Sequence, residues 1–86
     1  MNRDTIKNKV FEIVSSELKA DINSIKEESS FTDDLKADSL DVVEVIMKLE
    51  DDFGIEIPDE IAQGMQTMKD TIDYVEDQVK KNNTQG

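Results

Sequence analysis

The segment Leu35-Lys36-Ala37-Asp38-Ser39-Leu40-Asp41 sets one hydroxyl at the predicted start of a helix, in an 86-residue chain with no histidine and no cysteine. Serine becomes a strong nucleophile only beside a base or a comparable activator. No imidazole is available for that task, and 10 basic residues face 21 acidic ones. Ser39 therefore reads as a group that another enzyme modifies, and the chain as a protein that is not itself an enzyme. The plainer role is a helix cap, for which Ser is a preferred residue type. Taken without its surroundings, Ser39 favours the cap.

The elements that must position this hydroxyl are helical. Ile6, Val10, Ile13, Val14 and Leu18 recur at three- and four-residue spacing and predict a first helix over about residues 4–18, capped by Asn2 or Asp4. A long connection follows over 19–37. Its Asp, Asn, Ser and Thr residues compete locally for backbone hydrogen bonds, and Ile22, Ile25, Phe31 and Leu35 are expected to pin it to the core. The second helix is predicted over about 39–53, with Asp38 as N-cap, Asp41 completing a capping box and Gly54 as its stop. Ile55-Glu56-Ile57 has strand character but no partner. Pro58 to Gln63 predicts a short third helix stopped by Gly64, and Met68, Ile72, Val75 and Val79 predict a fourth over about 68–81. The expected fold is all-α: a small four-helix bundle with three longer helices, a short third helix and a long loop between the first two. One domain is expected over residues 1–81, with a polar tail at 82–86.

Composition narrows the function. The formal charge is −11, and residues 38–60 alone carry −8. Such a field repels nucleic acid and anionic membrane and draws basic protein surfaces inward. The ordinary meaning of an acidic chain is a well-solvated surface; the clustering on one segment argues for more. Without cysteine or histidine there is no disulfide and no Cys/His metal site. A calcium hand fails as well, because Gly54 does not occupy the sixth position of a loop opened by Asp. No apolar run approaches the roughly 20 residues needed to span a bilayer. The N-terminal residues lack a signal core, so the chain is expected in the cytoplasm; it is also expected to be a monomer.

The second helix carries two apolar stripes. With Leu40 at zero and about 100° per residue, Val42, Val45, Ile46, Leu49 and Phe53 fall between roughly 140° and 240°. Leu40, Val43 and Met47 fall between roughly 300° and 360°, bordered by Asp41, Glu44, Asp51 and Asp52. The first stripe is the natural core face. The second is either buried too, as in the central helix of a small bundle, or an exposed docking strip rimmed by charge. Periodicity alone leaves both open.

The run from Leu35 to Asp41, followed by Val43-Glu44 and then by Leu49-Glu50-Asp51-Asp52-Phe53-Gly54-Ile55-Glu56-Ile57-Pro58-Asp59-Glu60, resembles the bacterial acyl carrier proteins of fatty acid synthesis. The first helix, Ser30-Phe31 and Thr71-Ile72-Asp73-Tyr74-Val75 extend the likeness over nearly the whole chain. The resemblance implies that Ser39 carries 4′-phosphopantetheine through a phosphodiester, attached from coenzyme A by a phosphopantetheinyl transferase. The missing cysteine is then unremarkable, since the working thiol sits on the prosthetic arm. Growing acyl chains ride on the arm as thioesters and slip into a cleft under the second and third helices. The positions matching that cleft are Phe31, Leu35, Ile46, Ile57, Ala62, Met65, Ile72 and Tyr74, whose ordinary role is core. Asp38, Asp41, Glu44, Glu50, Asp51 and Asp59 match positions the family offers to basic patches on its enzymes, beside the strip Leu40, Val43 and Met47.

Three residues depart from the family pattern. Lys36 stands where Gly is usual, and Ile61 and Gly64 are unusual in the third helix. Two other readings stand beside the leading one: a carrier for a polyketide, peptide or lipoteichoic acid pathway, and an acidic helical adaptor with an unmodified Ser39.

Overall fold

Four helices follow one another in the computed structural model, which describes residues 2–83: α1 (Arg3–Leu18), α2 (Ser39–Phe53), α3 (Asp59–Gly64) and α4 (Met68–Asn83). A single 3₁₀ turn, Ile22–Ser24, interrupts the long α1–α2 connection. The all-α bundle read from the sequence is thus the observed architecture. No strand forms among the described residues; the one β-bridge joins Ser30 to Thr67. The helix ends follow local chemistry. Asn2 Oδ1 accepts the Thr5 amide at 2.9 Å and starts α1. Gly54, at φ 64°, ends α2 in the left-handed conformation, where glycine avoids the Cβ clash. The fourth helix, expected to end near residue 81, runs to Asn83, and the end of the expected tail, 84–86, lies outside the described residues.

α1 packs against α2 and α4, and the core lies between them. Ile6, Val10 and Val14 face Val45 and Leu49 of α2 and Met68, Ile72 and Val75 of α4, all essentially without solvent exposure. Burying each such side chain contributes about 1.5–3 kcal/mol, the main source of stability in a chain this small. The connection is held as expected at Ile25 and Phe31, both buried, and at Leu35, which is half-buried against the core. Ile22 is not a pin. It opens the 3₁₀ turn and is exposed, because a turn this short presents all three of its residues outward. Gly64 is likewise not a stop: it is the last residue of α3, and Gly54 is the only described glycine with positive φ.

Two sets of contacts hold the connection to the start of α4. Main-chain bonds run from Phe31 N to Gln66 O, Met68 N to Ser29 O and Lys69 N to Glu27 O, at 3.0, 3.0 and 2.7 Å. Beside them Arg3 donates to Asp73, Glu76 and Glu27 at 2.8, 2.9 and 3.2 Å, while Lys7 lies 3.3 Å from Glu27. Lys7 and Arg3 hold the Glu27 carboxyl below its ordinary range, and Lys69 and Arg3 do the same to Asp73. Depressed carboxylates stabilise the fold above their unfolded pKa values, near 4, and lose that contribution as pH falls through the lower folded values. Arg3→Ala should therefore lower Tm at pH 7, and the gap from the parent should close as pH falls from 5 to 2.5. Thermal melts of both chains across that range check it.

Candidate functional site

Ser39 is the first helical residue of α2, and its side chain is exposed. The expected capping box is present: Asp38 Oδ1 accepts the Asp41 amide at 2.9 Å, and Asp41 Oδ2 accepts the Asp38 amide at 3.3 Å. Asp38 therefore does the capping and the Ser39 hydroxyl is left to other use. The amides of Ser39 and Leu40 have no hydrogen-bond partner among the described residues. With the positive end of the helix dipole they favour an anion at this point, and the Asp38 and Asp41 carboxylates partly offset that preference.

Just before the cap, Lys36 sits at φ 58°. A non-glycine residue there brings Cβ against the following carbonyl at a cost of about 1–2 kcal/mol. This is a physical reason for the glycine usual at this position. Lys36→Gly should raise unfolding stability by about 0.5–1 kcal/mol, the strain relieved less the added freedom of the unfolded chain. The midpoint of urea denaturation measures it.

Ser39 lies on the rim of a cleft of about 570 Å³, within the range of small-molecule sites. Phe31, Val42, Val43, Ile46, Ala62 and Met65 supply its apolar wall; polar groups from loop 30–33 and from α3 edge it. The cleft is a product of the α3 position and of the Ser30–Thr67 bridge, which swings loop 30–33 opposite α2. Of the eight expected cleft positions, Phe31, Ile46, Ala62 and Met65 line it. Ile57 and Ile72 are buried in the core instead, and Leu35 is half-buried against it. Tyr74 lines a separate groove between α3 and α4, its hydroxyl donating to the Glu56 carbonyl at 2.8 Å. Val42, Val43 and the loop residues Ser30, Thr32 and Asp33 line the cleft without being expected there. No periodicity marks the loop residues, because a loop's placement depends on the distant segment that holds it.

The outer face of α2 is uncovered. Leu40, Val43 and Met47 are 66%, 50% and 59% exposed, while Val45, Ile46 and Leu49 are buried. The second apolar stripe is therefore surface. Glu44, Asp51 and Asp59 are exposed, and their carboxylates hold no hydrogen bond or ion pair among the described residues. Glu50 differs: it is half-buried, and its Oε2 accepts the Ile57 amide at 2.8 Å, bracing the segment that leads to α3.

The family model described as "phosphopantetheine attachment site" matches residues 8–75, a span that contains Ser39, all of α2 and α3, and every cleft-lining residue. The chain is also 47% identical over 79 residues to a protein named acyl carrier protein from Thermosynechococcus vestitus (strain NIES-2133 / IAM M-273 / BP-1), covering 92% of this chain and 98% of that one. The chain belongs to the acyl carrier protein family. It is a carrier and not an enzyme, and its prosthetic group is 4′-phosphopantetheine. An exposed hydroxyl, two unpartnered amides beside it and an adjoining apolar cleft fit an anionic linkage that bears an arm and a chain. No helix among the described residues is long and apolar enough to cross a membrane.

Proposed function

We propose that Ser39 Oγ is the attachment point of 4′-phosphopantetheine and that the chain carries growing acyl groups among the enzymes of fatty acid synthesis. The observation that carries this reading is the Ser39 hydroxyl, exposed at the first turn of α2 and on the rim of the apolar cleft. When bound, the arm supplies the thiol that holds the acyl group as a thioester. The chain's own residues do the rest. The start of α2 orients the linkage, and Phe31, Ile46, Ala62 and Met65 give the acyl chain an apolar wall out of water. Asp38, Asp41, Glu44, Asp51 and Asp59 draw basic patches on the transferase and the synthase enzymes, and Leu40, Val43 and Met47 slow their departure. A cytoplasmic monomer goes with the same proposal.

The test is direct. Incubation of the full chain with coenzyme A, a divalent metal and a phosphopantetheinyl transferase should raise the intact mass by one phosphopantetheinyl unit, on the peptide that contains Ser39. An unchanged mass would overturn the proposal. Docking is checked separately. Glu44→Lys should raise the KM of loading about tenfold at low ionic strength with little change in kcat, and the effect should shrink as salt screens it.

A further inference from the structure

The four methionines of the chain are Met1, Met47, Met65 and Met68, and among the described ones exposure divides them sharply. Met65 is 7% exposed and Met68 is fully buried, but Met47 is 59% exposed. It sits with Leu40 and Val43 at helical spacing on the outer face of α2, the strip assigned above to partner enzymes. With no cysteine in the chain, the Met47 thioether is the softest nucleophile on that face before the arm is attached.

We propose that Met47 is a methionine-oxidation site, and that its sulfoxide weakens docking without disturbing the fold. The inference rests on the docking reading of the α2 strip. The oxidant is a peroxide. The thioether sulfur attacks one peroxide oxygen, the O–O bond breaks, an S=O bond forms, and the other oxygen leaves as water; sulfur loses two electrons and the peroxide gains them. Methionine sulfoxide reductase reverses the step, a dithiol becoming a disulfide as the oxygen departs as water. The product carries a strong S=O dipole where the thioether had only a weak one. Under an apolar partner surface that oxygen loses its water and finds no donor, a penalty that falls on association. Met47 is eight residues from Ser39, roughly 12 Å along the helix, so the reacting hydroxyl itself is untouched.

The experiment treats the full chain, before loading, with hydrogen peroxide and follows it by peptide mapping and by transferase kinetics. Sulfoxide should appear at Met47 well before Met65 and Met68. The KM of loading should rise about tenfold with kcat unchanged, and the reductase should restore it. Tm should move by no more than about 3 °C. Met47→Leu, whatever its starting KM, should show no further change on peroxide treatment. Equal oxidation of the buried methionines, or an unchanged KM in the Met47 sulfoxide, would overturn the proposal. Met47→Lys separates the two layers. If it raises KM while the sulfoxide does not, docking stands and the oxidation switch falls; if neither raises KM, the docking reading falls with it.

Discussion

Ser39→Ala is expected to take up no phosphopantetheine at all, while its Tm stays within about 3 °C of the parent. The first half follows from the uniqueness of the hydroxyl. The other hydroxyls at the cleft, Ser30 and Thr32, lie across it on the loop, and Ser30 Oγ is already engaged, accepting the Asp33 amide at 3.2 Å. The second half follows from the division of labour at the start of α2. Asp38 holds the cap, so Ser39 contributes no hydrogen bond that alanine would remove, and alanine is the best helix former at a helical position. Intact mass after treatment with coenzyme A and transferase, beside a thermal melt, reads both. Residual loading at Ser30 or Thr32 would show that the transferase reads the cleft and not the helix start; a collapsed melt would show that Ser39 is structural.

Two positions apart on the same helix, Leu49→Ala and Met47→Ala should give opposite results. Leu49 is completely buried in the core, and truncating such a leucine costs about 2–5 kcal/mol through lost burial and the cavity left behind. A domain of this size holds roughly 4–13 kcal/mol in all, so the variant should melt more than about 10 °C lower. Met47→Ala touches no core contact and should keep its Tm within about 3 °C while raising the KM of loading. Melts and transferase kinetics on the two chains decide it. A Met47→Ala chain that unfolds like Leu49→Ala would mean that the outer stripe is packed and not presented.

Helix boundaries were legible where a local device wrote them. The Asp38–Asp41 pair and Gly54 bound α2 because capping needs only residues three or four apart. One local device passed unread: Thr67 Oγ1 accepts the Asp70 amide at 3.2 Å, and Asp70 Oδ2 accepts the Thr67 amide at 3.3 Å, a reciprocal cap at the start of α4. Its signal, Thr followed three residues later by Asp, stands in the sequence. Gly64 misled because glycine marks a helix stop only where φ is positive, and here it is not. The cleft was half legible. Ile46 and Met65 were found through the family likeness; Val42 was assigned to the core, and Ile72, assigned to the cleft, is core.

The amino-acid order by itself determined the helices, the Asp38 cap candidate at the start of α2, the acidic middle of the chain and the absence of a histidine to activate Ser39. Each of these follows from side-chain chemistry or from spacing within one turn of helix. Only the tertiary structure decided which of two apolar stripes on α2 is surface, since the same periodicity serves a helix covered on one side or on two. It also decided which apolar side chains face an open cleft and which fill the core. That choice depends on where α3 and loop 30–33 come to rest, and contacts between Ser29–Phe31 and Gln66–Met68, more than thirty residues apart in the chain, set it.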